Sequence, residues 1–179
     1  MKEDKILQML TQPDKQREAF GIIVSQYSEQ LYWKIRNIVQ DHDDANDILQ
    51  NTFMKAWVAL ADFQSKSKIS TWLYRIAVNE SLDHLRRQKT KVSADEDITV
   101  ANRLLADDYF DGDETQALLQ QAIAQLPDVQ RTVFTLRYFD NMKYSEMSKL
   151  MSTSEGALKA SYHFAVKKIH DYVLNFSNN

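Results

Sequence analysis

The residues best suited to chemistry in this 179-residue chain are the carboxylates that surround a histidine at positions 41–44, DHDD. Such donors occur in metal sites, but acidic residues just before a helix more often cap its free amides. We expect Asp43 or Asp44 to cap the helix that follows. The remaining histidines lie in unrelated helical contexts: His84, His163 and His170. The chain also has no Gly-rich phosphate loop. The sequence therefore predicts no catalytic residue, no metal site and no cofactor.

The segment that follows, DDANDILQNTFMKAWVALADF at 43–63, has the apolar spacing of an amphipathic helix. One stripe is predicted to be buried: Ala45, Ile48, Leu49, Phe53, Ala56, Trp57, Leu60 and Ala61. A second stripe mixes acid, amide and apolar groups: Asp47, Gln50, Asn51, Met54 and Val58. It is either a partner surface or an ordinary solvated face, since single exposed apolar residues are normal.

A short polar and basic loop, QSKSK at 64–68, joins this segment to a second helix, TWLYRIAVNESLDHLRRQK. Ser70 or Thr71 is expected to cap that helix. The helix is apolar around most of its circumference and keeps only a narrow polar strip: Arg75, Asn79, Asp83 and Arg86. Such a helix must be buried by neighbours. The positive charge at its end also suits the helix dipole.

Composition favours an all-α protein, because the chain has three glycines, two prolines and no alternating strand-like runs. No cysteine is present, which excludes disulfides and thiolate metal sites. There is no membrane-spanning apolar stretch and no signal-peptide core, so we expect a cytoplasmic protein without membrane insertion. The net charge is −3, but residues 91–116 alone carry −6, which leaves +3 for the rest. We predict two small helical domains, 1–90 and 114–179, joined by an acidic linker, 91–113.

The last block, YSEMSKLMSTSEGALKASYHFAVKKIHDYV, divides into a short helix, a tight turn and a long helix that Ser154 is expected to cap. One side of the long helix is predicted to point inward: Leu158, Tyr162, Ala165, Val166, Ile169 and Val173. The other side is polar or exposed: Ala157, Ala160, Ser161, His163, Phe164, Lys167 and Lys168. This spacing is typical of a DNA-binding helix-turn-helix. Simple helical hairpins share it, so both interpretations stay open.

The run DDANDILQNTFMKAW, then Phe63, then STWLYRIAVNESLDHLRR resembles regions 2.2 to 2.4 of bacterial sigma factors of the extracytoplasmic-function group. The C-terminal block resembles sigma region 4, so the resemblance covers about residues 20–169. It implies a transcription initiation factor that binds the clamp helices and flap of core RNA polymerase, reads the −10 and −35 promoter elements and assists DNA opening. The alternative is a stand-alone helix-turn-helix regulator that binds duplex DNA as a dimer. An anti-sigma factor is left open as another partner, and no small-molecule substrate is implied.

Carried over by position, the resemblance assigns three groups of residues. Core polymerase would be bound by Asp47, Gln50, Asn51 and Met54. The −10 element would be bound by Gln64, Ser65, Lys66, Ser67, Lys68, Arg75, Asn79 and Arg86, with Trp72 as either a DNA contact or a core residue. The −35 element would be bound by Ser154, Glu155, Ala157, Lys159, Ala160, Ser161, His163 and Lys167.

The chain departs from the family pattern at several of these positions. Asn51 stands where the family usually has Glu, and Ser152 replaces the customary turn glycine. Arginines that are frequent in relatives are absent from the long helix, where Ser161, Phe164 and Val166 stand instead. Fewer guanidinium groups imply fewer bidentate guanine contacts, so we expect more shape and methyl-group readout. Ser152 is expected to be mildly strained if the turn needs a positive φ.

Overall fold

The structure is a computed structural model that describes residues 3–63, 67–89 and 114–177. Every regular element within these ranges is a helix, which confirms the predicted all-α class. The chain divides into two compact units, Met1–Arg86 and Arg87–Asn179. The predicted acidic linker, 91–113, and loop residues 64–66 lie outside the described ranges. The domain boundaries expected after 90 and 113 therefore stay predictions.

The first unit is built from four α-helices and one 3-10 turn. They are α1 Glu3–Leu10, α2 Gln16–Val39, α3 His42–Val58, the 3-10 turn Ala59–Asp62 and α4 Ile69–Lys89. Its core is made of side chains at most 1% exposed, which include Ile6, Ile23, Ile35, Ile38, Ile69, Leu73 and Val78. These residues come from three helices at helical spacing, so each helix depends on the others to cover its apolar face.

The start of α3 differs from the sequence expectation. Asp41 is the N-cap, and its Oδ1 accepts a hydrogen bond from the Asp44 amide at 3.0 Å. The expected caps, Asp43 and Asp44, lie inside the first turn instead, so that prediction is wrong. Their negative charge still suits the positive end of the helix dipole. Gln40, just before the cap, takes a left-handed φ of 63° and ends α2.

The end of α3 also departs from the predicted buried stripe. Trp57 is 42% exposed and packs edge-on against Phe20, with ring centroids 5.0 Å apart. Ala61 is exposed as well. The α-helix stops at Val58 and continues as a 3-10 turn, which has about three residues per turn. This tighter winding takes Ala61 off the α-helical stripe. Trp57 lies before the turn, within the regular helix, and is only partly covered by Phe20.

The second unit contains four helices: α5 Glu114–Ala124, α6 Asp128–Tyr138, α7 Tyr144–Met151 and α8 Glu155–Ser177. Its main hydrophobic cluster joins α5, α6 and α8 through Ala122, Ile123, Leu126, Phe134, Ala165 and Ile169. Pro127 precedes the first residue of α6, where its fixed φ suits a helix start. Val166, which was expected to point inward, is 42% exposed, so that prediction is wrong.

The turn between α7 and α8 has the geometry that the sequence predicted. Ser152 has a left-handed φ of 51°, so the strain expected for a serine in place of glycine is present. The Thr153 amide donates to the Ser148 carbonyl at 3.3 Å and helps to satisfy the end of α7. Ser154 Oγ accepts from the Ala157 amide at 3.2 Å, which confirms the predicted cap. Together, α7 and α8 form the helix-turn-helix.

Candidate partner and nucleic-acid interfaces

The α3 stripe consists of Asp47, Gln50, Asn51, Met54 and Val58, and all five residues are exposed. Met54 is 61% exposed and Val58 is 81% exposed, so the centre of this stripe is apolar and accessible to solvent. That other face buries Ala45, Ile48, Phe53 and Ala56 against the first unit. The structure therefore brings the four predicted polymerase-binding residues together on one accessible surface, with Val58 extending it.

Two polar contacts fasten α3 to α4. Lys55 Nζ pairs with Glu80 Oε1, and the Glu80 side chain is only 9% exposed whereas that of Lys55 is 59% exposed. Near the start of α3, Asp44 Oδ2 lies 3.1 Å from His84 Nε2. Sequence reasoning missed both pairs, because helical spacing does not show which side chain on another helix an acidic residue will meet. These contacts hold the α3 stripe and α4 in a defined relation within one unit.

The α4 strip consists of Arg75, Asn79, Asp83 and Arg86, and all four side chains are exposed as the spacing predicted. Arg86 Nη1 donates to Asp83 Oδ1 at 2.8 Å, so part of its charge is compensated locally. Ser67 and Lys68 are also exposed, directly before α4 begins. The other predicted −10 residues, Gln64, Ser65 and Lys66, lie outside the described residues.

The Trp72 side chain is half-buried and stacks on Phe63, with ring centroids 4.6 Å apart and planes 30° from parallel. The two residues flank the loop 64–68 on either side. Tyr74, one helical face away, takes the Lys34 ammonium over its ring at 4.5 Å. Both aromatic residues thus have packing roles inside the first unit, in line with the core interpretation of Trp72.

The recognition face comprises the predicted −35 residues on the turn and on the first half of α8. All are exposed except the half-buried Ser161: Ser154, Glu155, Ala157, Lys159, Ala160, Ser161, His163 and Lys167. Lys159 Nζ lies 5.6 Å from the centroid of the Tyr144 ring, and the Arg137 guanidinium lies 5.2 Å from the same centroid. A single aromatic ring therefore orients two cations beside this face.

The buried Tyr27 and the partly buried Tyr162 have altered acidity. Burial raises the pKa of the Tyr27 hydroxyl, and the nearby Glu3 carboxylate raises it further. Burial likewise raises the pKa of Tyr162, with a smaller contribution from Tyr144 and an opposing one from Arg137. Because burial is the largest cause of both shifts, they reflect how these two side chains pack.

Within the described ranges, no set of three or more His, Cys, Asp or Glu side chains could hold a metal ion. In the same residues, no helix combines the length and the apolar character that crossing a membrane requires.

Comparison with known proteins identifies the family. The family model for Sigma-70 region 2 matches residues 23–91, and the model for Sigma-70, region 4 matches residues 116–169. The ECF RNA polymerase sigma factor SigW of Bacillus subtilis is 32% identical over 158 residues, which cover 82% of this chain and 84% of SigW. The chain belongs to the extracytoplasmic-function sigma factors. As such it directs RNA polymerase to promoters, and sigma factors as a family are not enzymes.

Other similar proteins agree with this family. The RNA polymerase sigma-H factor of Pseudomonas aeruginosa is 29% identical to this sigma factor over 174 residues, which cover 88% of the chain and 86% of that protein. The sigma factor RpoE, solved with the anti-sigma factor NepR from Bartonella quintana, has a TM-score of 0.63 at 19% identity, with 86% of this chain and 96% of RpoE covered. CnrH, solved with the cytosolic domain of CnrY, has a TM-score of 0.60 at 21% identity and 94% coverage of both chains. These two structures share the fold of this sigma factor.

The alternative of a stand-alone dimeric regulator is not favoured. A helix-turn-helix regulator needs no counterpart of region 2, yet residues 23–91 match that region. This sigma factor therefore carries both of the parts that the sequence pattern indicated. The individual contact residues remain predictions.

Proposed function

We propose that three surfaces of this sigma factor divide the work of promoter-directed initiation. The α3 stripe binds the clamp helices of core RNA polymerase. The α4 strip, together with the loop 64–68, reads and opens the −10 element. The recognition face reads the −35 element while the second unit docks on the polymerase flap. This work takes place in the cytoplasm, where RNA polymerase acts.

Core binding is assigned to the α3 stripe because its apolar and polar groups are arranged like a small protein interface. Met54 and Val58 supply exposed apolar area. Asp47, Gln50 and Asn51 lie on the preceding turns of the same stripe and add one charge and two amides, and polar groups beside an apolar centre are common in interfaces. Asn51 carries no charge where relatives usually have Glu, so we expect one ionic contact fewer with the clamp helices.

Opening of the −10 element is assigned to the start and exposed face of α4. A flipped base needs a small polar pocket with stacking or apolar walls, and the unpaired strand needs positive charge nearby. Lys68 and Arg75 supply exposed positive charge, and Asn79 supplies an amide on the same side. Arg86 contributes less charge, because Asp83 already binds its guanidinium.

Reading of the −35 element is assigned to the recognition face, whose chemistry favours amines and methyl groups over guanidinium groups. Lys159 and Lys167 can neutralise phosphates, and their number sets the salt dependence of binding. Ala157 and Ala160 present methyl groups that suit thymine methyls in the major groove. We therefore expect a −35 preference that rests on thymine methyls and DNA shape more than on guanine contacts.

The direct test is transcription with sigma-free core polymerase from the same organism. The purified protein is added, and transcript 5′ ends are mapped on genomic DNA. Discrete starts that share two spaced upstream elements support the proposal and define the promoter. Duplex binding by a dimer of the protein alone, without stimulation of core, would instead support the stand-alone regulator. An anti-sigma partner stays a prediction, suggested by the exposed apolar Met54 and Phe164.

A further inference from the structure

One backbone amide in the first turn of α4 is hydrogen-bonded by the side chain of Glu3, which lies 66 residues earlier in the sequence, on α1. The Ile69 amide, the first of α4, donates to Glu3 Oε1 at 2.6 Å. The first four amides of any helix have no carbonyl partner within that helix. A carboxylate at this point satisfies one of them and also suits the positive end of the helix dipole. The local caps expected from the sequence, Ser70 and Thr71, lie inside the helix, so that expectation is wrong.

Glu3 is held at this position by the packing of α1. Ile6, three residues further along the same helix, is fully buried, and α1 packs against α2. Ile69 is also fully buried, so its amide is shielded from solvent. Removal of the carboxylate would leave this amide without its acceptor, and a buried unpaired amide is costly. The elevated pKa of Tyr27 is consistent with a Glu3 carboxylate close to the core.

The other side of the loop 64–68 is fastened as well. Phe63, the residue before the loop, stacks on Trp72 in the first turn of α4. Phe63, before the loop, is therefore held by α4, and the Ile69 amide, after the loop, is held by Glu3 of α1. Lys68 lies between these two anchors, and its carbonyl accepts the first intrahelical hydrogen bond of α4, from the Trp72 amide at 3.1 Å.

We propose that Glu3 is a positioning residue for −10 recognition: by capping α4 it keeps the first turn folded, so that Lys68 and Arg75 are presented to the opened strand. This inference rests on the proposed function of α4. It assigns a role to α1, which precedes the part of the chain that matches the region 2 family model. Glu3 acts through Ile69 and needs no contact with DNA itself.

The experiment compares Glu3→Ala with Glu3→Gln in the full chain, assembled with core polymerase. Glutamine keeps a carbonyl oxygen that can accept from the Ile69 amide, whereas alanine has no acceptor. Asp4→Ala is the matched control, because Asp4 is an exposed acid in the same turn of α1. Three quantities are measured for each variant: hydrogen exchange at the start of α4, affinity for core, and the rate of promoter opening followed with a fluorescent base in the −10 element.

We expect Glu3→Ala to speed amide exchange at Ile69 and to slow opening by up to about five- to tenfold, which is the change in the folding equilibrium constant of the first turn that loss of a helix cap causes. Core affinity should stay within about twofold, because the α3 stripe is untouched. Glu3→Gln should recover most of the opening rate, and Asp4→Ala should behave like the wild type. If Glu3→Ala lowers the folded fraction, Glu3→Asp keeps the charge but shortens the reach, and it should give an intermediate loss of opening.

Arg75→Ala, measured in parallel, separates failure of this inference from failure of the proposed function. If Arg75→Ala slows opening and Glu3→Ala does not, Glu3 has no positioning role while the function of α4 stands. Unchanged exchange at Ile69 in Glu3→Ala would overturn the cap itself. If neither variant slows opening, the assignment of the −10 element to α4 is wrong, and the role of Glu3 is overturned with it.

Discussion

The apolar centre of the α3 stripe leads to a quantitative prediction for core binding. Burial of a Met or Val side chain contributes about 1.5 to 3 kcal/mol. Met54 is 61% exposed, so its remaining contribution on burial is about 1 to 2 kcal/mol. Val58 is 81% exposed and adds about 1 to 2.5 kcal/mol. The pair therefore contributes about 2 to 4 kcal/mol when both side chains are covered, which corresponds to about 30- to 1000-fold in Kd.

The test replaces both side chains without disturbing the fold. Met54→Gln keeps the length and the helix propensity, and Val58→Thr keeps the branched shape, so each mainly removes apolar character. Affinity for core is measured by fluorescence anisotropy of the labelled sigma factor, with circular dichroism as a check on the fold. Leu174→Gln is the matched control, because Leu174 is an exposed apolar residue, 48% accessible, on a helix of the other unit.

The double variant should bind core at least about 30-fold more weakly, and Leu174→Gln should bind within about twofold of the wild type. A double variant that keeps its dichroism spectrum and binds core as tightly as the wild type would refute the reasoning. The α3 stripe would then be ordinary solvated surface, and core binding would have to be sought elsewhere in the first unit.

Three further predictions follow from the described contacts. Lys55→Ala should lower the free energy of unfolding of the first unit by about 1 to 2 kcal/mol in chemical denaturation, because it leaves the buried Glu80 carboxylate without its partner. This cost is smaller than that of breaking a fully buried pair, because the Lys55 side chain is well exposed and solvent screens its charge. Glu80→Gln in the same background should recover part of this loss, and no recovery would contradict the ionic explanation. Truncation at Asp108 should preserve core binding but abolish −35 dependence in transcription; retained −35 selectivity would assign another role to the C-terminal helices. Burial raises the pKa of Tyr162 above 10.0 in the folded state, so the folded state holds the hydroxyl proton more tightly than the unfolded state does. The contribution of this proton to stability is complete below pH 10 and is lost as the pH rises through the folded-state pKa. Tyr162→Phe should show a shallower alkaline loss of stability than the wild type in pH-dependent unfolding.

The structure links the two proposed activities of the first unit through α3 and α4. The α3 stripe faces solvent on one side of α3, while Lys55 on the same helix reaches the buried Glu80 of α4. Asp44 and His84 make a second connection between the same helices. These two polar contacts connect the helix that carries the α3 stripe with the helix that carries the α4 strip. Core binding and −10 recognition are expected to share this framework.

Helix positions and exposed faces were predictable from the sequence, because they depend on interactions between residues a few positions apart. The stripe around Met54, the Ser154 cap and the strained Ser152 turn all follow from local spacing and local side-chain chemistry. The family resemblance of both blocks was also evident from the sequence alone. The periodic prediction failed at the end of α3, where Trp57 is 42% exposed, and in the 3-10 turn after Val58, where Ala61 is exposed.

Only the tertiary structure decided which polar groups meet across the unit. Glu3 caps the Ile69 amide although the two residues are 66 positions apart in the sequence, and Lys55 pairs with Glu80, 25 positions later. Periodicity identifies the face on which a residue lies, but it carries no information about which helix will cover that face. The partner of a buried charge or of a free helix amide is selected by long-range packing, because the many apolar contacts between helices fix which polar groups come within hydrogen-bond distance.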